Sequence, residues 1–213
     1  MIKLESKIIG FNYLWVNILV FIIFTLLILT SGNNIDLITL FFEIFMPCYM
    51  MIVICETVKI RFDPVIENIL INAVSYFSLV VRRFFITFGL ISLLSILYMC
   101  SLKMFLRDFS IVEMILTFIS PSFFISSFGL IFSFTFNNEY AGSIAGGLLW
   151  LFNILARALM QKGVLRFFFM FEASFSSISI VWLINKLVLI MLGFILWYFI
   201  YSFCRERRFL FNI

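Results

Sequence analysis

Between Lys7 and Asp36 the chain carries no charged side chain. The hydrocarbon core of a bilayer is about 30 Å thick, and a helix needs roughly 20 mostly apolar residues to cross it. Similar stretches recur along the chain. The whole is 64% hydrophobic and 12% charged, with a mean hydropathy of +1.19; a soluble domain is about 25% charged. The expected class is therefore an all-α integral membrane protein. With 213 residues and no long polar segment, a single transmembrane domain over residues 1–213 is expected.

Six spans are expected, over residues 11–30, 37–55, 84–102, 112–136, 140–158 and 187–204. Lys3 and Lys7 precede the first. That run is longer than the apolar region of a signal peptide and no small-residue cleavage site follows, so it reads as a retained span. Residues 1–10 mix apolar and charged positions and fit either an interfacial helix at the inner surface or a frayed terminus. Pro47 and Pro121 fall inside spans two and four, where each removes a backbone donor.

Charge gives the orientation. With both termini cytoplasmic, Lys3, Lys7, Lys59, Arg61, Arg82, Arg83, Arg205, Arg207 and Arg208 lie inside, and Lys103, Arg107, Lys162, Arg166 and Lys186 outside. This is the direction of the positive-inside rule. A seventh span over 167–185 would put the Arg205–Arg208 cluster outside. It would also place Glu172 in lipid, at a cost of about 2.5–3.5 kcal/mol at mid-membrane. That segment reads instead as a short outer-face helical hairpin that dips into the bilayer before span six.

Several chemistries are excluded or disfavoured. There is no His, so His-based metal sites and Ser-His or Cys-His nucleophile pairs are absent, and no metal site is expected. Cys48, Cys55, Cys100 and Cys204 are scattered through apolar segments and read as small hydrophobes. No Gly-x-x-x-x-Gly-Lys-[Ser/Thr] phosphate loop occurs, so the chain has no ATPase of its own. The acidic residues are spread far apart, which disfavours a membrane enzyme. The net charge of +4 is explained by cytoplasmic loops, with no nucleic-acid partner required. The Phe-rich, Ala-poor usage suggests an AT-rich genome, and a bacterial cell membrane is the expected location.

The stretch from Glu56 to Arg83 has an organisation of its own. Asp63-Pro64 makes a good helix start. Val65, Ile66, Ile69, Leu70, Ala73 and Val74 recur on one face, while Glu67, Asn68 and Asn72 fall on the other. A helix over about 63–78 along the inner surface, with one wet face, could dock a soluble partner. The same pattern also fits an interfacial loop helix with no partner. Three further features follow: Phe128-Gly-Leu-Ile-Phe-Ser-Phe-Thr-Phe-Asn-Asn-Glu-Tyr-Ala, then Trp182-Leu-Ile-Asn-Lys-Leu, then the basic Arg205-Glu-Arg-Arg.

In layout and loose residue type this plan resembles the membrane subunits of type-2 ABC exporters, the ABC-2 transporter-like permease family. The resemblance runs over about residues 11–208 and includes no invariant catalytic signature. The chain is short for that family and lacks its large outer domains. The resemblance implies a permease subunit that acts with two copies of a separate ABC ATP-binding subunit, which holds the ATP and Mg. It implies a second copy of the chain or a homologous permease, and a cytoplasmic coupling helix between spans two and three. Glu56, Asp63, Glu67, Asn68 and Asn72 would then serve ATPase coupling. The cargo implied is hydrophobic or amphipathic, such as an antimicrobial peptide or drug. A non-transporting membrane scaffold or immunity subunit is the alternative.

Two sets of residues remain. Glu43, Glu113 and Arg157 are ionisable residues within or at the ends of spans, which makes them candidates for a translocation path. Snorkelling to the outer headgroups is the other reading. Gly142 and Gly146 form a small-residue pair that lets helix backbones approach closely. Their partner helix lies either in the same subunit or across a subunit interface.

Overall fold

The computed structural model describes residues 11–30, 35–58, 76–105, 110–136, 138, 140–160, 163–171 and 180–206. Among these, every regular element is helical. Helix α1 spans Phe11–Thr30 and α2 spans Ile35–Leu40. A π turn follows at Phe41–Phe45 and leads straight into α3, Met46–Thr57. Then come α4 (Tyr76–Phe105), α5 (Ile111–Thr135), α6 (Ala141–Leu155) and α7 (Arg157–Met160). A 3-10 turn at Gly163–Phe168 precedes α8, Ile180–Glu206.

Four helical stretches are long and apolar enough to cross a membrane: Leu37–Thr57, Phe77–Met104, Ile111–Thr135 and Ile180–Arg205. These match expected spans two, three, four and six. Two further apolar stretches, Trp15–Thr30 and Ala141–Leu155, are shorter and stand at expected spans one and five. The helix expected over 63–78 falls mostly outside the described residues; its last positions, 76–78, belong to α4.

Two helices begin earlier than the expected spans, α4 at Tyr76 and α8 at Ile180. The charges that precede the expected spans do not end the helices. Along α4 the rise from Arg83 to Lys103 is about 30 Å, and along α8 the rise from Lys186 to Arg205 is nearly the same. Both match the thickness of a hydrocarbon core, with helix continuing beyond it.

The core is mostly apolar, but the burial pattern departs from that of a soluble protein in two ways. Asn17, Glu43, Arg83, Asn153, Asn185 and Lys186 are buried, while Leu148, Leu187, Met191 and Phe194 are exposed. In water that arrangement would be unfavourable on both counts. In lipid it is the expected one, with ionisable groups turned to the bundle interior.

Helix α5 lies at the centre, packed against α3, α4, α6 and α8. The ring pair Phe42–Phe118 (6.3 Å) and the approach of Gly129 to Cys55 place α3 and α5 side by side and parallel. Gly142 faces Gly129 and Cys55, Gly146 faces Met51, and Trp150 reaches Ile44, so α6 runs antiparallel to α3. Phe77 meets Tyr201 at 5.1 Å and Phe84 meets Trp197 at 4.8 Å, which makes α8 antiparallel to α4. Helix α1 packs at the edge through a buried row, Asn17, Phe21, Phe24 and Ile28, with Trp15, Leu19, Ile22, Leu26 and Leu29 outward.

Candidate functional site

Polar groups concentrate at three levels of the bundle. At one end, α3 finishes at Thr57, where the helix dipole leaves negative charge. Arg83, 2% exposed, brings its guanidinium to this point, and Nη1 donates to the Thr57 carbonyl at 3.4 Å. Thr87 Oγ1 donates to Thr57 Oγ1 at 3.4 Å, and Thr57 Oγ1 donates to the Ile54 carbonyl at 3.0 Å. The end of α3 and the first half of α4 are thereby tied together. These are the two helices that flank residues 59–75. Glu56 is half-buried one residue before this tie. Asp63, Glu67, Asn68 and Asn72, the other expected coupling residues, lie outside the described residues.

The second level is the π turn. Pro47 has no N–H for the Glu43 carbonyl, and its ring would clash with that carbonyl in a regular α-helix. Immediately before the proline the ladder widens, and Met46 N donates to the Phe41 carbonyl. A neighbouring carbonyl takes an outside partner: Trp150 Nε1 on α6 donates to Ile44 O at 2.8 Å. Glu43 sits in this widened turn and is only 5% exposed, so its carboxyl is turned into the bundle and away from lipid. The central helix α5 carries Pro121 and a set of buried hydroxyls. Ser122 and Ser127 donate to their own helix, to Phe118 O at 2.6 Å and Phe123 O at 2.7 Å. This is how hydroxyls are satisfied where water is absent. Ser120 Oγ and Ser126 Oγ are buried without a hydrogen-bond partner among the described residues.

The third level lies towards the opposite end of the bundle. The segment from Gly163 to Phe171 enters the bundle beside α6 and α8. Phe169, Met170 and Phe171 are buried, in a cluster with Met51, Cys55, Ile125 and Leu189. Non-helical backbone is tolerated at membrane depth only where protein or water covers it. Here side chains cover it. Asn185 Nδ2 faces the carbonyls of Arg166 (2.9 Å), Phe167 (3.1 Å) and Phe169 (2.8 Å). Lys186 Nζ donates to Met170 O at 3.4 Å and stands 5.9 Å from the Trp182 ring. From the other side Met170 N donates to Asn153 Oδ1 at 3.3 Å.

Of the remaining expected residues, Glu113 is half-buried in the first turn of α5 and Arg157 is exposed at the start of α7. Glu43 alone of that trio is buried. Gly142 and Gly146 face α3 and α5 of the same chain: a methyl at Gly142 would stand 2.6 Å from the Gly129 carbonyl, and one at Gly146 2.6 Å from Met51 Sδ. Asn153, Trp150, Arg83 and Asn185 were not among the candidates. Pro47 was the one signal for the π turn; the Asn-Lys pair and the hairpin expected over 167–185 pointed to the segment before α8, although residues 172–179 of that hairpin lie outside the described residues and 180–185 belong to α8 itself. All four cysteines are free thiols. Among the described residues no three His, Cys, Asp or Glu side chains gather as metal ligands would. Comparison with family models, curated proteins and solved structures finds no significant match.

Proposed function

We propose that the chain is the membrane-spanning permease subunit of an ATP-driven ABC exporter. It would act with two copies of an ATP-binding subunit, which hold ATP and Mg, and with a second copy of itself or a homologous permease. The observation that carries this reading is the Thr57–Arg83–Thr87 tie. A partner pressing on residues 59–75 from the cytoplasm would act on α3 and α4 together, because their ends are fastened to each other.

From there the push has a path. Met51 and Cys55 of α3 pack on Gly129 of α5 and on Gly142 and Gly146 of α6 with no room between backbones. A tightly packed block of this kind moves as a unit and switches between discrete packings. The π turn and Pro121 interrupt the regular ladder above that block and supply places where the helices bend. Buried polar groups in an otherwise apolar, phenylalanine-rich interior suit a hydrophobic or amphipathic cargo, an antimicrobial peptide or drug among them.

Co-purification with the candidate ATP-binding subunit tests the proposal. The Glu67→Arg, Asn68→Arg double variant is expected to lose the partner. Arg83→Gln is expected to keep the partner but lower the stimulated ATPase rate about tenfold, equivalent to about 1.4 kcal/mol of coupling. If no ATPase is captured by the wild type, the exporter reading fails and a non-transporting scaffold or immunity subunit takes its place.

A further inference from the structure

We infer that the segment from Gly163 to Phe171 is a gate over the outer mouth of the bundle, and that Asn185 and Lys186 are the latch that holds it shut. The inference deepens the permease reading and rests on it for the direction of traffic, but its geometry stands on its own.

Gly163, at φ 55°, turns the chain after α7. Gly163, Val164, Leu165 and Arg166 are exposed, whereas Phe169, Met170 and Phe171 are buried. From Gly163 to Phe171 the segment therefore runs from the surface inward. Its carbonyls at Arg166, Phe167, Phe169 and Met170 all point to one place, the Asn185–Lys186 pair on α8. One helix thus places its donors against four carbonyls at the end of the 3-10 turn and just after it, the two N–H groups of Asn185 being shared among three of them.

This concentration makes the closure cooperative. If α8 rotates or slides, the four carbonyls, the carboxamide and the ammonium are uncovered together. Bare polar groups are costly in lipid, so the opened state is stable only if water enters. Opening the latch and wetting the mouth are then one event. Beneath it lie Leu189, a short way further along α8, and the level of Trp150, Ile44 and Glu43. Asn153 holds the far side of the segment through Met170 N, which leaves a hinge on α6 and a release on α8.

The test reads water access and needs neither cargo nor ATPase. On a background with other cysteines replaced by serine, one chain carries Leu189→Cys and another keeps only Cys55, towards the inner end of the same cluster. Both are reconstituted in liposomes and treated with a membrane-impermeant maleimide, which reacts only with a hydrated thiolate. Asn185→Asp keeps the size of the side chain, removes both N–H donors and sets a carboxylate against carbonyls. It is expected to raise labelling at position 189 about tenfold and leave Cys55 unchanged. Lys186→Met is expected to act in the same direction and decides the matter if the Asp variant does not fold.

Unchanged labelling at 189, or an equal rise at 189 and at Cys55, overturns the latch: the pair would then only hold the fold. A latch that opens in a chain that captures no ATP-binding subunit would sink the exporter reading and leave the gate intact. Capture of the ATPase with unchanged labelling would do the reverse.

Discussion

At the residue scale, the small-residue stripe has a graded consequence. A methyl at Gly142 meets a backbone carbonyl, which cannot move aside, whereas one at Gly146 meets the flexible Met51 side chain. Gly147 has nothing within contact range. Gly142→Ala should therefore cost about 1–3 kcal/mol by overpacking. Gly146→Ala should cost less, and Gly147→Ala should be neutral or stabilising by up to about 1 kcal/mol of helix propensity. Unfolding in mixed micelles would rank the three, and a Gly147→Ala penalty as large as that of Gly142→Ala would contradict the packing. The spacing of Gly142 and Gly146 showed in the sequence that a close helix contact exists. It did not show with which helix, because the partner surface (Gly129, Met51, Cys55) has no pattern of its own.

At the element scale, the helical class and the four long spans were legible because runs of apolar residues report directly on a solvent that is itself apolar. Helix ends were less legible. Arg82, Arg83, Asn185 and Lys186 read as stops, yet α4 and α8 run through them. Arg83 and Lys186 reach carbonyls on distant elements, Thr57 and Met170, and Asn185 reaches three more. Such long-range satisfaction leaves no local trace. The π turn is a similar case. Pro47 announces a broken ladder, but its repair by Trp150, far along the chain, is a tertiary fact. Trp150→Phe keeps the ring and removes the donor to Ile44 O. It should destabilise the α3–α6 contact by about 0.5–1.5 kcal/mol, measurable by the same unfolding assay, and no change would mean that the carbonyl is served elsewhere.

At the scale of the whole molecule, the question is how many helices cross. Four are long enough by themselves, and α1 and α6 are shorter. The six-span plan places Asn138 inside and Gly163 outside, with α6 between them. Reporter tags at these two positions should be reached from opposite sides of sealed vesicles; access from one side would leave α6 as a surface helix and withdraw the plan. One feature of the long helices bears on where such a protein can live. The charges at Arg83 and Lys103, and again at Lys186 and Arg205, bracket the same height of apolar wall, about 30 Å. The molecule thus carries its own gauge. A bilayer thickened by sterol or long acyl chains would draw those charges into hydrocarbon or force the helices to tilt, at a fraction of a kcal/mol per Å. Shifted between lipids of different chain length, the protein should be most stable where the film matches that gauge, so that lipid composition becomes a second control on how readily the bundle changes shape.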